Sequence, residues 1–152
     1  MNAANSLKFI ADCHLGKLAK YLRMMGFDTL FFDSIDDDDL IELSEQEDRV
    51  ILTRDKLLHE KKNSNTFYLD SIDNLEQLCE LDKAFSIKNN RQQPRCTLCN
   101  VTLKEINKQE ILDQVPSKVL KYFDFFEICP KCKRIYWHGS HYKRMMNKIE
   151  AI

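Results

Sequence analysis

The sequence of 152 residues lacks any long hydrophobic run. No apolar stretch approaches the roughly 18 residues that a membrane-spanning helix needs, so we expect no association with a membrane. The first six residues lack the basic start and the apolar stretch of a secretory signal. These absences predict a cytoplasmic protein. The six cysteines could form three disulfides, but in that reducing compartment paired thiols more often bind metal.

The net charge of −1 is the sum of an acidic first part and a basic second part of the chain. Residues 1–90 contain 11 Lys/Arg and 18 Asp/Glu, a balance of −7, whereas residues 91–152 contain 12 Lys/Arg and 6 Asp/Glu, a balance of +6. Chance variation of a soluble surface is one interpretation. The other is a cation-binding body beside an anion-binding appendage, for which nucleic acid is the natural anion.

The polar segment 89–94 lies where the charge changes sign, and we predict that it links a unit of residues 1–88 to a unit of residues 95–152. In the first unit, short apolar runs alternate with helical patterns. The pattern predicts strands at 8–11, 29–32, 50–53 and 66–69, with helices at 16–25, 37–47 and 74–85. This alternation indicates an α/β fold with a parallel sheet between flanking helices. In the second unit we expect shorter elements and a basic final helix with Ser140 as its N-cap.

Two cysteine pairs share one spacing, Cys96 with Cys99 and Cys129 with Cys132. Two residues between cysteines allow a tight turn to point both sulfurs at one ion, and two such turns complete the tetrahedral set that suits Zn²⁺. We therefore predict a structural zinc site, closed to catalysis. Iron, two redox disulfides or unrelated thiols are the alternatives.

The remaining cysteines and the nearby histidines are weaker candidates for chemistry. Cys79 lies on an apolar helix face and is expected in the core, whereas Cys13 follows a strand-end aspartate but has no base to make it a nucleophile. His138 and His141 could bind metal, but four thiolates already complete the zinc site. Surface or nucleic-acid contacts are therefore the preferred interpretation.

Aspartates follow three of the predicted strands, namely Asp12, Asp55 and Asp70, and the run 36–39 opens a predicted helix. The carboxyl ends of parallel strands meet at one edge, where α/β proteins build their sites. Carboxylates gathered there favour Mg²⁺ or Mn²⁺, which can activate water and stabilise charge on a phosphodiester. Each aspartate taken singly is also a good helix N-cap, so capping remains the alternative. Lys17, Lys20 and Arg23 are spaced to share one helix face, which could contact a phosphate backbone or simply face solvent.

Several segments resemble the Mut7-C family of PIN-like ribonucleases, and together they extend over nearly the whole chain. These segments are 12–29, 37–41, 49–55, 95–100, 115–116 and 135–142, together with the second cysteine pair. The resemblance implies a PIN-like α/β domain followed by a zinc ribbon, and a metal-dependent nuclease that acts on RNA. His14 departs from the family pattern, which has an apolar residue beside the first aspartate.

Carried over to this sequence, the resemblance assigns the Mg²⁺ or Mn²⁺ ligands to Asp12, Asp37 and Asp55. Asp70 is added as a catalytic candidate from its strand-end position alone. We expect basic and aromatic side chains to hold the RNA, namely Lys17, Lys20, Arg23, Arg54, Lys131, Lys133, Arg134, Trp137, His141, Lys143 and Arg144.

Two further functions remain open: an RNA-binding or adaptor module with a vestigial acidic site, and a zinc-stabilised module that binds proteins. The RNA substrate, the endonucleolytic or exonucleolytic mode and the oligomeric state are not predicted.

Overall fold

Four parallel strands form the main sheet of the computed structural model, which describes residues 7–61 and 65–152. The strands are β1 (Lys8–Ala11), β2 (Asp28–Phe31), β3 (Val50–Thr53) and β4 (Thr66–Tyr68), and their order in the sheet is β2-β1-β3-β4. The predicted parallel α/β architecture is therefore confirmed, with β2 shifted by one residue and β4 shorter by one residue than predicted.

Helices cover both faces of this sheet, as a parallel sheet requires. They are α1 (Gly16–Met24), α2 (Asp37–Glu47), α3 (Lys56–Glu60) and α4 (Asn74–Phe85). Phe9 lies in the core shared with α1 and α4, while its neighbour Ile10 lies in the core with Leu40 of α2 and Leu58 of α3. Helix α3 was not predicted from the sequence, because its five residues are too few to show a helical period. Within residues 7–61 and 65–152, no helix is both long and apolar enough to cross a membrane.

The second unit is a small antiparallel sheet of β5 (Lys104–Ile106), β6 (Phe126–Ile128) and β7 (Ile135–Tyr136). A 3₁₀ turn (Lys108–Glu110) and α5 (Ser117–Tyr122) lie between β5 and β6. The final helix is α6 (Ser140–Glu150). The prediction of Ser140 as its N-cap is wrong, because Gly139 occupies the cap and Ser140 is the first helical residue.

Helix α6 belongs to the second unit by sequence but packs in the core of the first. Met145 and Ile149 are buried there with residues of α1 and α4. The segment 89–94 thus separates two sheets, but the hydrophobic core around the first sheet includes side chains from both sides of it.

The segment 89–94 also packs on the turn between α1 and β2. Gly26 has a φ of +92°, and a Cβ there would lie 2.5 Å from the carbonyl oxygen of Gln92. The Gln92 N–H donates to the Met25 carbonyl oxygen at 2.9 Å. Glycine is required at position 26 for both its left-handed backbone and this close approach.

Side chains join the same turn to the first cysteine pair. The Arg23 guanidinium donates to the carbonyl oxygens of Thr29 at 2.9 Å and Thr97 at 2.7 Å. The Asn100 side chain accepts from the Thr29 N–H at 3.0 Å and donates to Asp28 Oδ1 at 2.7 Å. We call Arg23, Asp28 and Asn100 the corner clamp.

Arg49 supports the corner clamp from the body of the sheet, donating to Asp28 Oδ1 at 2.9 Å from a buried position. Burial alone raises the pKa of Asp28. The hydrogen bonds from Arg49 and Asn100, with the charges of Arg49 and Arg95, outweigh it and hold the pKa below its ordinary value. At neutral pH the clamp therefore contains an ionised carboxylate with two side-chain donors.

Replacing Asn100 with alanine should destabilise the protein more than the same change at Lys133. Both residues have left-handed backbones, with φ values of 63° and 67°, and both follow a cysteine pair. The backbone strain is therefore matched, but only Asn100 bonds Thr29 and Asp28. We expect the free energy of unfolding of Asn100→Ala to fall about 1–3 kcal/mol below that of Lys133→Ala in urea titrations with zinc present. Equal losses in the two variants would show that the clamp adds nothing.

Candidate metal centre and active site

The four paired cysteines converge as predicted. The sulfurs of Cys96, Cys99, Cys129 and Cys132 all lie within 4.8 Å of one another. The Cys96 and Cys132 sulfurs are 3.8 Å apart. Two thiolates bound to one zinc at 2.3 Å and tetrahedral angles are separated by about 3.8 Å, so this donor set fits the ion.

The two cysteine pairs have matching local geometry. The Asn100 N–H donates to the Cys96 carbonyl oxygen at 2.9 Å, and the Lys133 N–H donates to the Cys129 carbonyl oxygen at 2.8 Å. In each pair the N–H of the second cysteine donates to the sulfur of the first at 3.4 Å. These are two copies of one turn, each of which points its sulfurs and an amide dipole at a shared centre.

Tyr136 of β7 contributes to the same centre. Its hydroxyl oxygen lies 3.1 Å from the Cys96 sulfur. Burial raises the pKa of the Cys96 thiol, but the bond with Tyr136 and nearby backbone N–H groups outweigh this effect and lower it to about 7. At Cys96 this favours metal binding, because thiolate is the ligand, whereas burial and the other three cysteines raise the pKa of Cys99 to about 12.

The histidines lie outside the cysteine group. The ring of His138 stacks on Tyr142, with centroids 4.0 Å apart and planes at 8°, and His141 is exposed. In the part of the chain that the structure describes, the four cysteines are the only group of three or more potential metal ligands gathered this closely. The ligand set is therefore closed and suits a structural ion.

We expect one zinc ion per chain, and substitution of Cys132 should remove it. Cys132 is exposed, so a serine there leaves packing intact while it removes one of four ligands. Cys79→Ser is the matched control, because Cys79 lies outside the cluster. Metal analysis of the purified variants measures the outcome. Full zinc in Cys132→Ser, or loss from Cys79→Ser, would contradict the assignment.

The predicted aspartates lie at the carboxyl edge of the parallel sheet. The chain passes from β1 to β2 on one side and then crosses to β3 on the other, so the order reverses between β1 and β3. Asp12 follows β1 and Asp55 follows β3. In an open α/β sheet, the crevice at such a reversal is where ligands bind.

Thr53 links the two aspartates at this crevice. Its hydroxyl donates to Asp12 Oδ2 at 2.8 Å and accepts from the Asp55 N–H at 2.9 Å. The other carboxylate oxygen of Asp12 accepts from the Cys13 N–H at 2.7 Å. Both oxygens of Asp12 are therefore held in place, and each retains a lone pair for another partner.

Asp55 is the N-cap of α3. Its Oδ1 accepts from the N–H groups of Leu57 at 2.9 Å and Leu58 at 3.3 Å. The capping alternative is therefore confirmed for Asp55. Both capping hydrogen bonds go to Oδ1, and the other carboxylate oxygen accepts none from the described residues. The side chain is exposed.

Asp37 begins α2, and its carboxylate lies beside Lys61. The Lys61 ammonium is 3.6 Å from Asp37 Oδ2 and 3.6 Å from Asp38 Oδ1. Burial, the charge and hydrogen bond of Asp12, and the charge of Asp37 all raise the pKa of Cys13. The charges of Asp12 and Asp37 both act on the Cys13 thiol, so the two carboxylates lie at the same edge of the sheet.

Asp70 lies farther out. It follows β4, which is two strands from β1, or about 10 Å between strand axes. Its backbone is fixed by Arg54, which donates to the Asp70 carbonyl oxygen at 3.0 Å, and by Glu80, which accepts from the Asp70 N–H at 2.9 Å. Asp70 and Arg54 thus lie together at the β4 end of the carboxyl edge, two strands from Asp12.

The carboxylates do not form a closed cage. Across residues 7–61 and 65–152, no three aspartate or glutamate side chains come within 4.8 Å of one another. Magnesium keeps several waters and is commonly bound by one or two carboxylates together with substrate phosphates. Asp12, with Asp37 or Asp55, fits a site of that open kind.

Arg23 does not belong to the predicted basic face of α1. Lys17 and Lys20 are exposed, but Arg23 is buried in the corner clamp, and burial lowers its pKa. A phosphate contact for Arg23 is therefore a wrong prediction, since its guanidinium already serves two carbonyl oxygens.

The predicted RNA-binding residues of the second unit divide into two sets, one inside a groove and one outside it. A groove of about 370 Å³ between α1 and the second unit brings together Lys20, Arg134, Trp137 and His141. Lys131, Lys133, Lys143 and Arg144 are exposed outside the lining of this groove.

Four residues that shape these sites were not predicted from the sequence. Thr53 lies inside segment 49–55, which resembles the family, and its hydroxyl at a strand end was the signal that could have identified it. Asn100 directly follows a cysteine pair, where a left-handed residue was to be expected. Lys61 and Glu127 gave no local signal, because only the fold places them at a site.

The fold and its sites define an α/β protein with carboxylates at the switch point of a parallel sheet and a four-cysteine metal-binding unit. The sequence profile of the Mut7-C RNAse domain matches residues 7–149. The chain therefore belongs to this family, which confirms the resemblance. The family is nuclease-like and implies RNA as the substrate. No curated protein and no solved structure matches the chain.

Proposed function

We propose that this protein is a ribonuclease that hydrolyses RNA phosphodiester bonds with Mg²⁺ or Mn²⁺ at the edge formed by Asp12, Asp37 and Asp55. The observation that carries the proposal is the position of Asp12 at the switch point, with both carboxylate oxygens oriented by hydrogen bonds. Membership of an RNAse domain family supports the same reaction.

The residues at the edge have separable tasks. Asp12 provides a fixed anionic ligand, and Thr53 keeps its carboxylate facing the crevice. Asp55 and Asp37, the latter beside the Lys61 ammonium, add carboxylates at the same edge, which would favour a cation and a phosphate bound to it. A divalent ion held by these carboxylates would stabilise negative charge on the phosphodiester oxygens and lower the pKa of a bound water.

Basic side chains would bring the substrate to this edge. Lys17 and Lys20 are exposed on α1, which begins four residues after Asp12, and Arg54 is exposed beside Asp55. The exposed residues of the second unit, Lys133, Arg134, His141, Lys143 and Arg144, extend the positive surface beyond α1. The four-cysteine zinc ribbon keeps this surface beside the sheet through the corner clamp.

Asp12→Asn should reduce Mn²⁺-dependent RNA cleavage at least about a hundredfold, because it removes the oriented charge while preserving shape. A hundredfold corresponds to about 2.7 kcal/mol of transition-state stabilisation. The assay follows a labelled single-stranded RNA in the presence of Mn²⁺. Asp113→Asn is the matched control, since Asp113 is exposed in the second unit. An Asp12→Asn variant that cuts as fast as the parent would refute the site.

Asp55→Ser separates the two roles of Asp55. Serine is a good N-cap, so α3 and the free energy of unfolding should change by less than about 1 kcal/mol. If Asp55 also serves the cation, cleavage should fall at least about tenfold while stability is kept. Urea titration and the same cleavage assay give the two readouts. Unchanged cleavage would show that Asp55 only caps α3 and does not serve the cation.

A second candidate is an RNA-binding or adaptor module without catalysis. The observation that favours it is the use of Asp55 as a helix cap, together with the open spacing of the carboxylates. It predicts salt-sensitive RNA binding, no cleavage in Mg²⁺ or Mn²⁺, and binding that survives Asp12→Asn.

A further inference from the structure

The groove between α1 and the second unit differs from the exposed basic surface around it. Its lining combines the positive side chains of Lys20 and Arg134 with the aromatic ring of Trp137 and one acidic residue, Glu127. A cavity of about 370 Å³ has the size of a small-ligand site. A surface that only bound phosphates would need neither an aromatic wall nor a carboxylate.

Trp137 is held in place on one side and open on the other. Its ring packs against the buried Phe126, with centroids 6.3 Å apart, and the side chain remains half-buried. Gly139 keeps the edge of the indole clear, because a Cβ at that position would lie 3.0 Å from the indole nitrogen. A rigid aromatic wall of this kind is suited to stacking on a nucleobase.

Glu127 supplies a directional acceptor at the same groove. The residue is 7% exposed, and its Oε2 accepts from the Gln93 side chain at 2.8 Å. Among the described residues, no cation lies within salt-bridge distance of this carboxylate, and no hydrogen bond reaches its Oε1. The free oxygen is open to solvent at the groove, so it can accept from the N–H donors of a ligand that enters there.

The identity of the donors points to one class of base. Guanine presents two adjacent N–H donors on its pairing edge, which match the two oxygens of a carboxylate. Uracil presents one N–H between two carbonyl oxygens, and those oxygens would be repelled by Glu127.

The groove also continues the substrate path along α1. Lys17, Lys20 and Met24 follow one side of the helix at three- and four-residue spacing, and Lys20 and Met24 line the groove. From Lys17 to Met24 the helix rises about 10 Å. A strand with its phosphates beside Lys17 and Lys20 would therefore place a base in the groove a few nucleotides from Asp12.

We propose that this groove binds an unpaired base of the RNA, stacked on Trp137 and read by Glu127, with a preference for guanine over uracil. This inference rests on the proposed function for its substrate class. It assigns the groove to base selection and leaves phosphodiester chemistry to the acidic edge.

The test uses Trp137 as its own reporter, since it is the only tryptophan in the chain. The zinc-loaded Asp12→Asn variant of the 152-residue chain is titrated with guanosine monophosphate, with uridine monophosphate, and with short single-stranded RNAs that contain one guanine or none. We expect guanosine monophosphate to quench the fluorescence with about fivefold or greater affinity over uridine monophosphate. The guanine-containing RNA should bind more tightly than the free nucleotide, because it adds phosphate contacts.

Two variants locate the interaction. Glu127→Gln keeps the size and the contact with Gln93 but should abolish the preference for guanine. Lys20→Ala should weaken RNA binding about threefold or more while the preference persists. Lys83→Ala is the matched control on α4, where the lysine is also exposed, and it should behave as the parent.

Equal affinity for the two nucleotides, or a guanine preference that survives Glu127→Gln, would overturn the proposal. RNA that bound no more tightly than free guanosine monophosphate would also overturn it, by indicating a nucleotide pocket. Because the readout requires no cleavage, quenching by guanine without ribonuclease activity would reject only the proposed function. Cleavage without guanine-dependent quenching would reject only the groove.

Discussion

The contact between the first cysteine pair and the turn after α1 determines how the two units are placed. Asn100 has the left-handed backbone that its cysteine turn requires, and the same side chain bonds Thr29 and Asp28 of β2. Asn100 thus takes part both in the turn of the first cysteine pair and in the contact between the two units. Because Arg23 and Arg49 satisfy the surrounding carbonyl oxygens and the Asp28 carboxylate, the interface is polar yet fully bonded. The groove lies between α1 and the second unit, so this contact contributes to its shape together with the packing of α6.

Patterns local in the sequence were sufficient for most of the fold. The apolar runs at 8–11 and 50–53 and the helical periods at 37–47 and 74–85 match the observed elements, since each depends on its own residues. The spacing of the four cysteines was likewise sufficient to predict their convergence. By contrast, α3 is too short to show a period, and β5 is a three-residue strand with two exposed side chains. The packing of α6 against the first sheet depends on residues more than fifty positions away, so no local pattern contains it.

The candidate site was less predictable than the fold for the same reason. Strand-end positions were sufficient to place Asp12, Asp55 and Asp70 along one edge, but not to rank them. Strand order puts Asp12 at the switch point and Asp70 two strands away. The spacing of α1 gave Arg23 the same phosphate-binding role as Lys17, whereas tertiary contacts bury its guanidinium. A charge pattern identifies which residues are basic, but only the neighbouring units determine which of them reach solvent.

The return of α6 to the first sheet has a consequence for synthesis of the protein. Met145 and Ile149 complete a core that begins with Phe9 in β1, so one face of the sheet stays partly uncovered while the chain is being translated. Residues from opposite ends of the described chain must meet before that core closes. Such long-range closure is slow compared with local folding, and the nascent sheet exposes apolar surface until then. A protein assembled in this order would gain its mature form only after its metal-binding unit had left the ribosome.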